Sequence, residues 1–387
     1  MPRPVAVVAG YVVRYPVGGM TWVFLNYLLG LRDLGFEPVF VEAAGPQPTC
    51  YDVAQQRMTE DPSYGIAYLT AALQAAGLSD MRWWYREAEP ARDRGMSRDE
   101  AVAALEDCAV LLDVSGSGWA PEFDRAQRRV LIDTDAPFTQ IRLADGDDDW
   151  AAFVDAHDAL ATYAVNVAAG RSEAPSGGRE WVPTRPPIHL PSWPASEVPA
   201  TGAWTTVTSW ASYSSVWWQL KEYRQKDVEY MRLRDLPSRV AVPLELALGG
   251  HAPRRQLAEF GWRIVDPIER TLTPGHFEQY VRGSRAELGV AKQAYVHSRT
   301  GAFNDRSLAY LASGRPVVCS DTGLADWLPV GAGLLPFDDV HGAAAAIAEV
   351  EAEPAAHGLA ARRLAEEHFA ADRVLADLLA SVDVSLP

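Results

Sequence analysis

A short helix that ends in a tight turn and leads directly into a buried strand is the feature that most constrains the fold of this chain. The stretch is GAFNDRSLAYLASGRPVVCSDTG, residues 301–323. Asn304 or Asp305 can cap the start of the helix. Gly314 suits a left-handed C-terminal cap, and Pro316 lies just beyond the stop. The pattern predicts a helix N-terminus at the edge of a sheet, where free N–H groups and a partial positive charge favour an anion.

Polar and basic side chains surround this predicted anion site. Two arginines flank the helix start, and the N–H groups of a helix start commonly bind phosphate. We expect the preceding turn and the first helical residues to complete the site. The candidate ligand-binding residues of this segment are Arg299, Gly301, Asn304, Asp305, Arg306 and Ser307.

Strand and helix patterns alternate in two separate runs, which indicates an α/β protein of two domains. The length of 387 residues is also typical of two domains with a core each. The first run has apolar segments typical of buried parallel strands at 5–8, 36–41, 109–114, 130–132 and 159–163. Helical patterns lie between them at about 21–34, 64–76 and 98–107.

A segment rich in proline and glycine, 170–203, separates the two runs. Proline at this density breaks helices and sheets, so we place the domain linker here. One long surface loop inside a single domain is the alternative, but the length of the segment argues against it. The predicted domains are 1–195, which includes most of the linker region, and 204–370, followed by a terminal helix in 371–387.

The second run repeats the alternation of strands and helices. Strands are predicted at 204–208, 240–243, 263–265, 294–297 and 316–319. Helices are predicted at about 251–260, 275–284, 304–313, 340–352, 354–369 and 371–381.

Two segments of the first domain are candidates for ligand contact. In the loop GYVVRYPVGGM, residues 10–20, Gly18 and Gly19 let the backbone approach a ligand closely, and Arg14 adds a cation. The loop lacks the GxGxxG spacing, so NAD binding is not supported. Asp133 and Asp135 follow the predicted buried strand at 130–132, at the edge where open α/β sheets bind ligands. Asp135 could accept a proton from an acceptor hydroxyl, or both carboxylates could merely cap the next helix.

The charge and the cysteines limit the partners and the compartment. A net charge of −16 argues against a nucleic-acid partner, because binding to nucleic acid depends on neutralising phosphates. No apolar run approaches the roughly 20 residues that span a bilayer. Three widely spaced cysteines without a CxxC pair favour reduced thiols in a cytoplasmic protein, and no zinc-ligand spacing is present.

The segment 301–323 resembles the donor-binding segment of GT-B glycosyltransferases, especially the retaining family-4-like group, where a similar helix ends in A-x-G-x-P-V-V. The resemblance implies two Rossmann-like domains whose parallel sheets face a cleft, and a terminal helix that crosses back to the first domain. It implies a nucleotide-diphosphate sugar as donor substrate, with no further cofactor and no metal, and a small-molecule or saccharide acceptor.

The same resemblance assigns roles to residues outside the opening segment. Lys226 or Arg224 would contact the donor phosphates, with Ser209 in the loop before them. Val265 lies where related enzymes bracket the nucleobase. In the first domain Gly19 would crowd the sugar, with Gly18 beside it, and Asp135 would assist the acceptor.

One departure from the family pattern keeps alternative functions open. Family-4 enzymes typically carry two glutamates spaced as E-x7-E, and these positions hold Gly301 and Ala309 here. Asp305 is the nearest carboxylate. A GT-B nucleotide-sugar epimerase, or a degenerate glycosyltransferase that only binds, therefore remains an alternative to a glycosyltransferase. No histidine occurs in the first 150 residues, which favours a retaining mechanism or an aspartate base.

Overall fold

The computed structural model describes residues 3–45, 48–87 and 92–387. Within these residues the first half of the chain builds a mixed sheet in the order β10-β9-β8-β7-β1-β2-β5-β6, and a separate hairpin, β3-β4. Every pairing in the sheet is parallel except β5 with β6. The strands are β1 (Val5–Ala9), β2 (Glu37–Ala43), β3 (Cys50–Asp52), β4 (Arg57–Thr59), β5 (Trp83–Arg86), β6 (Asp93–Gly95), β7 (Val110–Val114), β8 (Arg129–Asp133), β9 (Ala159–Thr162) and β10 (Val182–Pro183).

The second half builds a parallel sheet in the order β15-β14-β11-β16-β17-β18 and a hairpin, β12-β13. The strands are β11 (Trp204–Ser209), β12 (Val216–Trp218), β13 (Lys221–Tyr223), β14 (Leu244–Gly249), β15 (Arg263–Val265), β16 (Ala286–Gly289), β17 (Val317–Ser320) and β18 (Leu334–Phe337). Helices cover both sheets, so the central strands are apolar and buried on both faces.

The helices connect the parallel strands as crossovers. In the first half they are α1 (Gly18–Asp33), α2 (Ser63–Ala75), α3 (Arg98–Glu106), α4 (Phe138–Ala144), α5 (Asp148–Asp155) and α6 (Val165–Ala168). In the second half they are α7 (Lys226–Arg232), α8 (Arg254–Glu259), α9 (Pro267–Thr271), α10 (Pro274–Gly283), α11 (Gln293–Ser298), α12 (Asp305–Ala312), α13 (Val340–Ala352), α14 (Pro354–His368) and α15 (Ala371–Ser381).

The chain passes between the halves at two places that lie side by side. Ile188, in the proline-rich segment, forms an isolated bridge with Ala370, just before α15. The Ile188 N–H donates to the Phe369 carbonyl at 2.8 Å, and the Ala371 N–H donates to the Ile188 carbonyl at 2.9 Å. Helix α15 then packs on α1 of the first half, where Gly30 leaves room for Leu375.

Two strands predicted in the second half are wrong. Residues 240–243 precede the strand β14 rather than form one, and 294–297 lie in helix α11. The strand of that unit is β16, which has the sequence AELG. Glu287 interrupts the apolar run that would mark this four-residue strand. Its charge partner, Arg306, lies 19 residues further along the chain, so the sequence around the strand does not show why a charge can be buried there.

Candidate functional site

A cavity of about 1000 Å³ lies between the two halves, at the carboxyl ends of the second sheet. Strand β11 contributes Thr208 and Ser209, and β15 contributes Val265. From the first half, Tyr15 and Gly19 line the opposite wall, because the loop after β1 and the start of α1 face the second sheet. The carboxyl ends of parallel strands therefore meet a facing loop across a cleft, which is the common ligand position in open α/β sheets.

Arg306 is the central cation of this cleft. Its Nε donates to Glu287 Oε1 at 2.5 Å, and its Nη1 donates to the Val207 carbonyl at 2.9 Å. Burial opposes the charge of Arg306, but the carboxylate of Glu287 raises the pKa of the guanidinium above its ordinary value. The remaining Nη2 is buried and has no hydrogen-bond partner among the described residues. The arginine is thus held rigidly with one donor group left over.

Lys226, the first residue of α7, lies beside Arg306 on the same wall. Its Nζ donates to Thr208 Oγ1 at 3.4 Å, and no carboxylate of the described residues comes within ion-pair distance of it. Burial and then the charges of Arg306 and Lys292 lower the pKa of Lys226 to about 7. Lys226 and Arg306 are therefore two partly buried cations with one ion-paired carboxylate, Glu287, and Asp305 is the other carboxylate near Lys226.

The start of α12 reaches the cleft as predicted, although its caps differ in detail. Asp305 lines the cavity, and its Oδ1 accepts from the backbone N–H of Arg306 at 2.8 Å. Asn304 has the extended backbone of an N-cap, but its side chain caps nothing. Ser307 is buried in the first turn, and its Oγ has no partner among the described residues.

Four further predicted residues lie outside the lining of this cleft, as do Asn304, Ser307 and Asp135. Arg299 forms an ion pair with Asp321 at 3.3 Å. Gly18 packs against the second half, where an added Cβ would lie 2.2 Å from the Thr273 carbonyl oxygen. Arg14 donates its backbone N–H to Glu42 Oε1 at 2.8 Å, and its guanidinium carbon lies 5.5 Å from the Tyr15 ring centre.

Gly301, the fourth, explains why the first glutamate of the family pattern is missing. Its φ is +71°, and an added Cβ would lie 2.8 Å from Cγ of Asn166 in the first half. Ala309, at the second glutamate position, is buried in α12. Packing between the halves therefore occupies the space that a side chain at 301 would need, and Asp305 is the cleft-lining carboxylate of this segment.

Asp135 joins the two halves beside the main cleft. Its Oδ1 accepts from Lys292 Nζ at 2.6 Å and from the Tyr295 hydroxyl, and its Oδ2 accepts from the Tyr213 hydroxyl. All three donors belong to the second half, so the carboxylate is saturated by contacts between the halves. It also lines a second cavity, of about 180 Å³.

Sequence reasoning missed the role of Glu287 and the pairing of Lys292. The rarity of lysine was a usable signal, because the chain has many arginines but only three lysines, Lys221, Lys226 and Lys292. Two of the three lie at the positions described above, Lys226 in the cleft and Lys292 at the contact between the halves. Glu287 was detectable only as a charge inside a strand.

Metal-ligand groups and membrane-spanning helices are both absent from the residues that the structure describes. In this part of the chain no group of three or more His, Cys, Asp or Glu side chains is placed to hold a metal ion. No helix there is long and apolar enough to cross a membrane.

Comparisons with known proteins identify the fold. A comparison with protein-family models gives no match, and neither does one with curated proteins. Among solved structures, an α-glucosyltransferase in complex with UDP and DNA is 11% identical, with 99% of this chain and 100% of that chain covered and a TM-score of 0.59. HepE from Anabaena, in complex with UDP and glucose, is 12% identical, with 98% and 100% covered and a TM-score of 0.53. A pneumococcal O-GlcNAc transferase, in complex with UDP and GlcNAc, is 9% identical, with 99% of each chain covered and a TM-score of 0.54.

At these identities the likeness concerns the fold. The chain has the GT-B architecture, in which two Rossmann-like halves with parallel sheets face a cleft. This confirms the fold class predicted from the sequence.

Proposed function

We propose that this protein is a glycosyltransferase that moves a sugar from a nucleotide-diphosphate sugar to a small-molecule or saccharide acceptor. The observation that carries the proposal is the pair of partly buried cations, Lys226 and Arg306, which line the cleft beside the start of α12 and have Glu287 as their one ion-paired carboxylate among the described residues. The similar structures named above, two of which are called transferases, hold UDP, and this supports the same class of ligand here.

The chemistry of the cleft suits the departure of a diphosphate. As the bond between sugar and phosphate breaks, negative charge grows on the leaving group. Lys226 and Arg306 both line the cleft, and Glu287 and the Val207 carbonyl hold Arg306 in place, so the two cations would stabilise that charge with little reorganisation. Donor phosphates would lie between these cations and the N–H groups of the α12 start. Ser209 and Val265 would contact the nucleoside, and Gly19 would face the transferred sugar.

Asp135 remains our candidate for assisting the acceptor, with a condition set by its contacts. Its oxygens already accept from Lys292 and two tyrosines, so it could accept an acceptor proton only after one of these donors moves. The absence of a metal requirement and a cytoplasmic location also stay predictions. The acidic net charge of −16 supports an acceptor other than nucleic acid, although one similar structure contains DNA. Nothing in the comparisons supports the epimerase alternative.

The proposal is tested by titration calorimetry with nucleoside diphosphates, UDP first. Lys226→Met removes the cation and keeps the apolar stem. We expect this substitution to weaken the binding of UDP, or of the preferred nucleoside diphosphate, by about 10- to 100-fold, which is the effect of losing a charged hydrogen bond. Lys221→Met is the matched control, because Lys221 is exposed and pairs with Glu173 at 3.1 Å.

Hydrolysis of the corresponding nucleotide sugar then separates an enzyme from a binding protein. Slow release of free sugar that depends on Lys226 supports a transferase. If no nucleoside diphosphate binds the wild-type protein, the proposed function is wrong. If the diphosphate binds but its sugar is neither hydrolysed nor transferred, the protein is a binding protein of GT-B fold.

A further inference from the structure

We propose that the second cavity, of about 180 Å³, and the exposed Trp119 near it bind a neutral sugar ring of the acceptor, with Trp119 stacked on the apolar face of that ring. The assignment to an acceptor rests on the glycosyltransferase function proposed above. The binding of a sugar ring rests on the local structure alone.

An aromatic cluster links the cavity to Trp119, which does not itself line the cavity but has its ring centre 6.1 Å from that of Trp150. Trp150 lines the cavity, and Phe153 stacks on it with ring centres 5.2 Å apart. Trp119 stacks on Phe153 at 4.3 Å with an angle of 17° between the rings, yet 57% of Trp119 is exposed. One face of this tryptophan is held by the protein and the rest is open. A flat apolar surface of this kind suits the C–H face of a pyranose, because aromatic rings combine a large apolar area with a fixed geometry.

The loop that carries Trp119 is fixed from beneath. Asp113, at the end of β7, accepts from the backbone N–H of Ser117 at 2.6 Å and of Gly118 at 3.0 Å. Its other oxygen lies 3.1 Å from Nε2 of the buried His157. An exposed tryptophan on a mobile loop would lose rotational freedom on binding, whereas this platform is already ordered.

Ser115, in the same loop, has a backbone conformation that indicates function. Its φ is +65°, in the left-handed region that residues other than glycine rarely adopt. Its Oγ and Oγ1 of Thr134 form a hydrogen bond of 2.7 Å, and both residues line the cavity. Such strain is concentrated at binding sites, where it directs a side chain at a ligand.

The lining of the cavity selects a neutral, hydroxylated ligand. Hydroxyl groups come from Tyr11, Ser115, Thr134 and Thr139, and carboxylates come from Asp133 and Asp135. No lysine or arginine is among the described residues that line it, and the carboxylates of Asp133 and Asp135 in the lining disfavour a phosphate or a carboxylate ligand. The volume is below the roughly 300–1,000 Å³ of sites for drug-sized ligands, which favours a single ring.

The cavity is also adjacent to the proposed donor cleft. Tyr11 lines the cavity, and Tyr15, whose ring centre is 6.1 Å away, lines the cleft. Burial first, and then the nearby charges of Asp305 and Asp135, raise the pKa of Tyr11 to about 12, so this hydroxyl lines the cavity in its neutral form. A sugar ring bound in the cavity would therefore lie near the donor cleft.

The test uses methyl glycosides of glucose, galactose, mannose and N-acetylglucosamine as probes, with binding followed by saturation-transfer NMR and calorimetry. We expect at least one of these glycosides to bind the wild-type protein. Trp119→Ala should weaken the binding of that glycoside about tenfold, and Trp119→Phe should restore part of the affinity. Trp217→Ala is the matched control, because Trp217 is 63% exposed on the β12-β13 hairpin. It should bind as the wild type does.

Titration of UDP in the same variants separates this inference from the proposed function. Trp119→Ala should bind UDP normally. Glycoside binding that depends on Trp119, in a protein that binds no nucleoside diphosphate, would overturn the transferase and leave the sugar site standing. The sugar site is overturned if none of the four glycosides binds the wild-type protein, or if Trp119→Ala binds them equally well.

Discussion

Lys226 is a partly buried lysine that forms no ion pair with a carboxylate of the described residues, and this makes ligand binding sensitive to pH. Its pKa is lowered to about 7, so above pH 7 the amine of the free protein is largely neutral. A bound diphosphate favours the charged form and raises that pKa again. Binding above pH 7 must therefore take up a proton, and affinity should fall as the pH rises from 7, by up to about tenfold per pH unit.

Calorimetry at pH 8 in two buffers of different ionisation enthalpy measures this proton directly. For the wild-type protein, the observed binding enthalpy should differ between the buffers by nearly the difference in their ionisation enthalpies. That difference corresponds to the uptake of close to one proton. In Lys226→Met the difference should vanish. Equal enthalpies for the wild-type protein in both buffers would show that Lys226 stays charged in the free cleft.

Glu42 is a second buried ionisable residue, and it affects stability. It accepts from the backbone N–H groups of Val13 and Arg14 at 2.8 Å, while burial, the largest influence, raises its pKa to about 8. The folded state thus binds this proton more tightly than the unfolded state does. Its contribution to the free energy of unfolding is fully present below the ordinary pKa of 4.5 and is lost as the pH rises through 8.

We expect the wild-type protein to lose stability, on the order of 1–4 kcal/mol, between pH 6 and pH 8.5 because of Glu42. Glu42→Gln keeps the shape of the side chain and cannot ionise, so the loss should be smaller by that amount. Urea denaturation of both proteins at the two pH values measures the difference. Parallel pH profiles would mean that Glu42 is not charged differently on unfolding.

At the scale of elements, contact with the first half of the protein restricts which residue can occupy the turn before α12. Gly301 and Gly77 share nearly the same backbone angle, with φ of +71° and +70°, but an added Cβ at 77 meets nothing within 4 Å. Gly77→Ala should cost about 1–2 kcal/mol of unfolding free energy from the backbone angle alone. Gly301→Ala should cost more, about 2–4 kcal/mol, because its Cβ also presses on Asn166.

Urea denaturation of the two alanine variants measures that difference. Gly301→Glu, which restores the first glutamate of the family pattern, should be at least as unstable and should not improve sugar transfer. Equal costs at the two glycines would show that the turn at 301 has room for a side chain after all.

The elements that sequence reasoning predicted well are those whose signals are local. The helices after residue 339 and strands such as β15 follow from apolar spacing and cap residues, and α15 was predicted within its observed bounds. Strand β16 was missed because Glu287 is buried only through its pair with Arg306, a contact between elements that no local pattern records. The segment 294–297 was misassigned because β-branched and aromatic residues favour strands, whereas here Ala294 and Tyr295 are buried on one face of a short helix.

The same distinction applies to the site. Asp305, Arg306, Lys226, Ser209, Val265 and Gly19 were named from the sequence, and the structure brings them to one cavity. Their roles there remain predictions. Gly18 and Gly301 were named for closeness to a ligand, but the close approach is to the other half of the protein. A glycine in a loop signals that something comes near, and only the tertiary structure shows what it is.

At the scale of the whole molecule, the two halves are connected by a paired crossing and by a polar contact elsewhere. The crossing holds Ile188 beside Ala370, so both connections lie at one place. Asp135 meets Lys292 across the halves at 2.6 Å, with 35% and 13% of the side chains exposed. We infer that this ion pair holds the halves together when the cleft is closed.

A double-mutant cycle tests that inference. Asp135→Asn and Lys292→Met should each lower the free energy of unfolding in urea denaturation. The double variant should lose less than the sum of the two single losses, which corresponds to a coupling energy of about 1–3 kcal/mol. The exposed pair Arg255 and Glu259, within one helix of the second half, is the control cycle and should give a coupling of about 0.3–0.5 kcal/mol. If Asp135 and Lys292 are additive within about 0.3 kcal/mol, the pair does not hold the halves together. Asp135 would then be free to assist the acceptor, and reduced sugar transfer by Asp135→Asn at unchanged UDP affinity would measure that role.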